Sequence, residues 1–356
     1  MGSEMCIRDR YLSPMTAIFD WLDDSGAQRV LLWRDEASGL RSVTAIDSVI
    51  DGMAAGGIRT RSYESARAAI ADACSLARAM SAKCALANLP VGGCKTVVWA
   101  HDGMQRADAF ESLGKRLAEL GGLVRTAGDL GTSSADLEAV ARHHAHVHLD
   151  ERGLADSVGR GVLRCVEACA QRRGKTVSQL VVAIQGCGAI GAAVARALAE
   201  AGATLVVSDI DPERAARLAS ALGARRVAPD AILVQDVDVV SPNAIGGVVD
   251  EHVASELRAW AVVGAANNVL SDRSVARLLA ERGVAFVPDV IASAGAVVDG
   301  IGASVLGLTD RTPLIDALGD TARQVLDRAE ASGRTTVEAA EELAQERLRG
   351  ESGSRR

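Results

Sequence analysis

Aromatic residues are scarce in this chain: three Phe, two Tyr and four Trp, 3% of 356 residues. Ala and Val are left to fill the cores. Positive charge is not in excess either. Lys and Arg number 39 against 46 Asp and Glu, a net charge of −7. A nucleic-acid protein needs a basic footprint, so that class is set aside. No run of about 18 apolar residues is free of charges or turn signals, so no membrane span is expected. No apolar stretch near the start has the form of a secretory leader. The seven cysteines (Cys6, Cys74, Cys84, Cys94, Cys165, Cys169, Cys187) are odd in number and contain no C-x-x-C. They read as buried thiols in a reducing, cytoplasmic compartment. Residues 1–14 fit no pattern, and Met15 is the expected start of the folded protein.

What is present is an ordinary globular composition, 48% apolar and 24% charged, long enough for two domains. The stretch M-S-A-K-C-A-L-A-N-L-P-V-G-G-C-K-T-V-V, Met80 to Val98, carries Lys83 and Lys95 on either side of an apolar turn. Lys83 is expected just past a helix whose apolar residues recur from Ala66 to Met80. Lys95 follows Gly92-Gly93, and a strand is expected from Thr96 to Ala100. A buried lysine has a lowered pKa and is a usable acid or base near neutrality. A solvated surface lysine is the commoner fate, and these residues alone leave both readings open.

Upstream, Thr16–Leu22 reads as a short helix, and Arg29–Trp33 and Leu40–Ile46 as hairpin strands around Ala37-Ser38-Gly39. The run A-A-G-G-I-R-T, Ala54–Thr60, reads as a bend or as a place of close ligand approach, with an ordinary loop as the alternative. Arg106–Leu120 is a helix closed by Gly121-Gly122. Val124–Thr126 is a short strand that leads into A-G-D-L-G-T-S-S-A-D-L. There Asp129 lies between glycines, as a functional carboxylate or a turn residue. Ser133 or Ser134 caps a helix from Ala135. In H-H-A-H-V-H, His146 and His148 share a strand face. Matched Cys or carboxylate ligands are missing, so no metal is assigned and a solvated segment is expected.

After a linking helix, Ser157–Arg172, the apolar strand Leu180–Gln185 runs into G-C-G-A-I-G. A helix over Ala192–Ala201 and a strand over Thr204–Ser208, ending at Asp209, follow. A G-x-G-x-x-G that leaves a strand, opens a helix and meets an acidic residue ~20 positions on is a strong dinucleotide signal. Gly186 makes the turn, Gly188 admits the pyrophosphate and Gly191 lets helix and strand pack. Cys187, Ala189 and Ile190 complete the loop. Asp209 would bond a ribose hydroxyl and repel a 2′-phosphate, so NAD is expected over NADP. Further strands, Ala231–Leu233, Val237–Ser241, Trp260–Val263 and Ala285–Val287, lead to polar loops carrying Asn243, Asn267 and Asn268. Pro313–Ala331 and Val337–Arg347 are amphipathic helices.

Taken together, A-A-G-G-I-R, M-S-A-K, N-L-P-V-G-G-C-K-T-V, T-A-G-D-L-G-T-S-S-A-D-L, I-Q-G-C-G-A-I-G and G-A-A-N-N resemble the glutamate, leucine, phenylalanine and valine dehydrogenases, closest to the leucine and phenylalanine branch. The resemblance runs from about Val30 to Arg347. It implies an α/β fold of two domains. The first is a catalytic and oligomerisation domain over residues 15–155, rejoined by the helices of 313–347. The second is a Rossmann NAD-binding domain over 157–300. It implies that Lys83 binds the substrate α-carboxylate and that Lys95 is catalytic. Asp129 would handle protons at the substrate nitrogen. Gly57 would lie beside the substrate, and Asn267 and Asn268 on the nicotinamide side. Ala55, Ala127, Val297 and Gly300 fall at the family's side-chain pocket.

The expected activity is NAD-dependent reversible oxidative deamination of an apolar, bulky or aromatic L-amino acid by a homo-oligomer. Glutamate would be excluded for want of a second cation near Ala55. Two departures stand out. Ser293 replaces an Asn before Ala294-Gly295, and Val158 replaces a Thr, although a shift of one would place Ser157 there. Val298 or Asp299 could refill the space opened at Gly300. The rivals are a non-catalytic NAD-binding regulatory protein and a dehydrogenase of another small acid.

Overall fold

A computed structural model describes residues 26–150 and 152–353. The expected helix over 16–22 and the leader lie outside that range. The chain contacts form two compact units: one reaches Ser81 and resumes over Pro90–Leu149, and the other holds Ala82–Leu89 and the chain from Asp150 on.

In the first unit, β1 (Arg29–Asp35) and β2 (Leu40–Ile46) pair antiparallel around a turn in which Gly39 takes φ +72°. Ser38 Oγ donates to Asp35 Oδ2 at 2.5 Å and fixes that turn. β3 (Ala54–Arg61), β4 (Gly92–Trp99) and β5 (Val124–Gly128) complete a sheet in the order β1-β2-β4-β3-β5, with β4-β3-β5 parallel. The Gly pair expected in a bend is therefore inside a strand. A Cβ on Gly56 would run into the Cys94 carbonyl, so the glycine serves close strand approach.

Side chains alternate across this sheet. On one face Leu40, Ile46, Ala54, Ile58, Cys94, Val98 and Val124 pack under α2 (Arg106–Ala118) and α3 (Ser134–Ala141), around Phe110, Leu113, Leu117, Leu137 and Val140. Burying Phe110 alone contributes roughly 1.5–3 kcal/mol. On the other face Val43, Ala45 and Val97 meet Ala69, Ala73, Cys74 and Ala77 of α1 (Ala66–Leu86). That helix lies directly on β4, since a Cβ at Gly93 would strike Ser81 N and the Ala77 carbonyl. α1 runs to Leu86, so Lys83 stands in its last turn and not beyond it. Strand β4 likewise begins at Gly92, four residues ahead of its expected start, because both glycines pair with β3.

Ser133 caps α3 in a reciprocal box with Asp136. The histidine run is not uniformly solvated. His144 is buried and its Nε2 lies 3.0 Å from the Val124 carbonyl oxygen, while the backbone of Val147 bridges to Thr126.

The second unit is built on α4 (Leu154–Arg172) and a six-stranded parallel sheet. Its strands are β6 (Val181–Gln185), β7 (Thr204–Ser208), β8 (Arg225–Arg226), β9 (Val239–Pro242), β10 (Ala261–Val262) and β11 (Ala285–Phe286), in the order β11-β10-β9-β6-β7-β8. This is the doubly wound order, with its reversal between β6 and β9. Helices α5 (Ala189–Glu200), α6 (Pro212–Leu222), α7 (Glu251–Glu256) and α8 (Arg273–Glu281) connect the strands. The strand expected at Ala231–Leu233 is instead a 3₁₀ turn, Ile232–Val234, whose Ile232 plugs the sheet core. A three-residue apolar run does not distinguish the two.

Beyond the sheet come α9 (Asp289–Ala292), α10 (Gly295–Ser304), α11 (Thr312–Ser332) and α12 (Thr336–Gly353). By chain contacts the last two helices group with the second unit. There the Leu86 carbonyl accepts from Thr321 Oγ1 at 2.9 Å and from Arg347 Nη1 at 2.7 Å. Among the described residues no helix is long and apolar enough to cross a membrane.

Candidate active site

The strand register decides which residues can work together in the first unit. Ala55 pairs with Gly93 and Arg125, and Gly57 with Ala127. Partners across a ladder share a face, so Ala55, Gly57, Arg59, Lys95 and Ala127 all project toward the α1 side. Asp129 follows where β5 ends. A Cβ on Gly57 would come within 2.9 Å of the Gly128 carbonyl oxygen and 3.1 Å of Asp129 Cβ. Glycine there lets the aspartate swing over the strand.

Lys95 Nζ lies 2.6 Å from Asp129 Oδ2, with the lysine side chain 7% exposed. Asp129 is therefore not simply a turn residue. Arg59, given no role of its own by the sequence reading, places Nε 3.0 Å from the same oxygen. Asp72 and Tyr63 were missed as well. Asp72 Oδ1 is 3.5 Å from Arg59 Nη1, and Asp72 Oδ2 accepts from the Tyr63 hydroxyl at 2.6 Å. The signal for Arg59 was its place two residues past Gly57 on a period of two. Asp72 and Tyr63 had none, since neither carries a motif. Burial pushes the Asp129 carboxyl up. The charge and hydrogen bond of Lys95, the Leu130 amide and the charge of Arg59 outweigh it and hold the group below the usual carboxylate range.

The residue opposite Ala55 on this face is Arg125. Its Nη1 is in contact with His146 Nδ1, which turns the guanidinium toward the histidine run, an irregular segment with an isolated bridge at Val147 and not the strand expected.

In the second unit the fingerprint makes a cradle. Gly186 takes φ +90°, and a Cβ there would come 2.7 Å from Ala244 Cβ, so only glycine fits the turn. A Cβ on Gly188 would meet nothing within 4 Å, leaving open space at the N-cap of α5. Gly191 packs against the Gly186 carbonyl. Backbone N–H groups at a helix start beside an open, side-chain-free position suit a pyrophosphate, and the residues present fit a dinucleotide. Ala189 is exposed and Ile190 half-buried in the first turn. Asp209 accepts from the Cys187 amide at 2.7 Å and from the Asp211 amide at 2.8 Å, so it also clamps the glycine turn. Across the strand reversal, Asn243 accepts from the Ala265 amide at 3.0 Å and donates to the Ser241 carbonyl at 2.8 Å. Asn267 Oδ1 accepts from Lys83 Nζ at 3.1 Å, which brings two of the expected residues together. Asn268 takes φ +52° and donates its amide to Asp289 Oδ2.

Residues 29–146 match the family model described as Glu/Leu/Phe/Val dehydrogenase, dimerisation domain, and residues 152–302 match that of Glutamate/Leucine/Phenylalanine/Valine dehydrogenase. The chain belongs to this family. It is 31% identical to a leucine dehydrogenase of Bacillus cereus over 353 residues, covering 95% of each chain. It is 30% identical to an L-tryptophan dehydrogenase of Nostoc punctiforme over 339 residues, covering 93% of this chain and 96% of the other. The crystal structure of L-tryptophan dehydrogenase from Nostoc punctiforme superposes with a TM-score of 0.87 at 29% identity, over 94% of this chain and all of the other. The protein is thus an oxidoreductase acting on the CH–NH2 group of amino acids.

Within this dehydrogenase the two departures are turned inward. Ser293 is buried and donates its hydroxyl to the Asp289 carbonyl at 2.7 Å. Val158 is buried, while Ser157 Oγ donates to Asp299 Oδ2 at 2.9 Å. Asp299 is also paired with Arg311 at 2.5 Å, and Val298 is fully buried. Val297 and Gly300, on α10, are half-buried.

Proposed function

We propose that this amino acid dehydrogenase carries out NAD-dependent reversible oxidative deamination of an apolar, bulky L-amino acid. The observation that carries the reading is the Lys95–Asp129 pair, 2.6 Å apart on a face lined by Ala and Gly. Lys83 holds the α-carboxylate as a point charge. Asp129, kept ionised, takes a proton from the substrate ammonium. Bound NAD supplies the hydride acceptor for Cα. Lys95 then assists attack of water on the imine carbon, and the carbinolamine collapses to a 2-oxo acid and ammonium. Gly57 gives the substrate room beside Asp129. Gly186, Gly188 and Gly191 cradle the pyrophosphate, Asp209 selects the unphosphorylated ribose, and Asn243, Asn267 and Asn268 attend the nicotinamide side. On β3 and β5, Ala55 and Ala127 leave space for a large side chain, and Val297 and Gly300 of α10 are given the same role.

A homo-oligomer completes the reading. It is supported by the match to a dimerisation domain and by β1, an edge strand with Leu32 63% exposed. The deciding experiment adds NAD and a panel of L-amino acids and follows absorbance of the reduced cofactor, with ammonium dependence in reverse. No turnover across the panel would favour a regulatory nucleotide-binding protein. Reduction without need for ammonium in reverse would favour a dehydrogenase of another acid. Glutamate belongs in the panel because Arg125 stands opposite Ala55.

A further inference from the structure

Asp129 is reached by cations from two strands. Lys95 comes from β4 and Arg59 from β3, and both close on Oδ2, at 2.6 Å and 3.0 Å. Arg59 is tethered from behind by Asp72 of α1 at 3.5 Å, and Asp72 is in turn held by the Tyr63 hydroxyl at 2.6 Å. The Arg59 side chain is 19% exposed. Its fork is thus divided, with Nε on the aspartate of β5's end and Nη1 on the aspartate of the helix.

We propose that Arg59 is a positioning residue that keeps Asp129 ionised and aimed while Lys95 serves the substrate. The inference rests on the roles given to Lys95 and Asp129 above. One lysine cannot neutralise Asp129 and at the same moment assist water at the imine carbon. When Lys95 turns to its second task, a mostly buried carboxylate without another cation would take up a proton and cease to be a base. A guanidinium does not give up its proton, so Arg59 compensates Asp129 throughout the cycle. An untethered arginine would also bind the substrate carboxylate itself, which guanidinium does well. The tie to Asp72, secured by Tyr63, prevents that. Among the described residues, the charged and titratable groups on this face of the first unit include Lys95, Arg59, Asp72 and Tyr63, with Arg125 further along β5, and the net balance at Asp129 favours the carboxylate.

The test uses the full chain with Arg59→Met and Arg59→Lys, each checked for folding by thermal melt. The acid limb of kcat/KM, with NAD and the best amino acid of the panel, should move to higher pH by about one unit or more in Arg59→Met. It should return most of the way in Arg59→Lys. An unmoved limb in a folded Arg59→Met protein overturns the proposal. Should that variant not fold, Arg59→Gln, which keeps donors but not charge, replaces it. A chain that turns over nothing would fail the enzymatic reading instead. Titration of the Asp129 carboxyl carbon by NMR, assigned with Asp129→Asn, still decides the question for Arg59. A midpoint raised in Arg59→Met supports the role even without a substrate, and equal midpoints refute it even in an active enzyme.

Discussion

Replacing Lys95 by Met removes the charge while keeping most of the side-chain length, so packing under α1 changes little. Truncating one partner of a fully buried ion pair costs about 3–5 kcal/mol, because the other charge is stranded. Here Asp129 is 26% exposed and retains Arg59 at 3.0 Å, so the expected loss is smaller, about 1–2 kcal/mol at neutral pH. Turnover should fall further, by about 10²–10⁴-fold, since the role proposed for the lost group is to move a proton. The pH dependence separates charge from packing. The Asp129 carboxyl is held low in the folded chain, chiefly by Lys95 working against burial. Such a group stabilises fully above its unfolded value, about 3.9, and the contribution is lost as pH falls through the folded value. Lys95→Met raises the folded value. The stability gap between wild type and variant, measured by urea denaturation, should therefore be largest near pH 7 and close in acid. A gap of the same size at both ends would mean that contact, not charge, was lost. Near-normal turnover in the folded variant would end the proton-transfer role.

Other expectations follow from the same geometry. Gly57→Ala must displace Asp129 or the Gly128 carbonyl, which stand 3.1 and 2.9 Å from the new methyl. It should lower kcat/KM by about 10–100-fold, and unchanged kinetics would refute the placement of Asp129 over Gly57. With Asp209 intact, NAD should be used more than tenfold better than NADP, by the charge repulsion of a 2′-phosphate. Asp209→Ala should narrow that ratio, because Arg214, 3.9 Å from Asp209, is released toward the phosphate. Equal rates with both cofactors in the unmodified protein would contradict the assignment. Across Val, Leu, Phe and Trp, kcat/KM should hold or rise, each methylene being worth about 1–3 kcal/mol. A steady fall would mean that the pocket is small.

Much of the second unit was legible in the sequence because its signals are local. Thr204–Ser208 reads as a strand from its apolar run and its end at Asp209, and the glycine fingerprint names its own turn. The first unit was harder. Gly56-Gly57 looks like a bend in the chain, and only the presence of β4 alongside, 38 residues later by the Ala55–Gly93 pairing, makes it a strand. Lys95 and Asp129 were legible through the family resemblance. Arg59, Asp72 and Tyr63 meet through contacts between strand and helix that no spacing announces. His144 looked solvated because nothing in its neighbours shows that Val124 would offer it a carbonyl. Ile232 was misplaced because burial alone does not choose between strand and turn.

The six described cysteines are all buried. Burial pushes the Cys165 thiol far up, that of Cys169 up to about 12, and that of Cys187, with Asp209 adding to burial, up to about 11. Thiolate is the form that oxidants and electrophiles attack, so these three sulfurs are chemically quiet for as long as the chain is folded. Cys187 shows the point most directly. It sits in the glycine turn and directs its Sγ at the Ser208 carbonyl, 3.6 Å away, not outward to the nucleotide side. Burial thus keeps these three thiols protonated in the folded chain, and loss of the fold would return them to ordinary thiol reactivity.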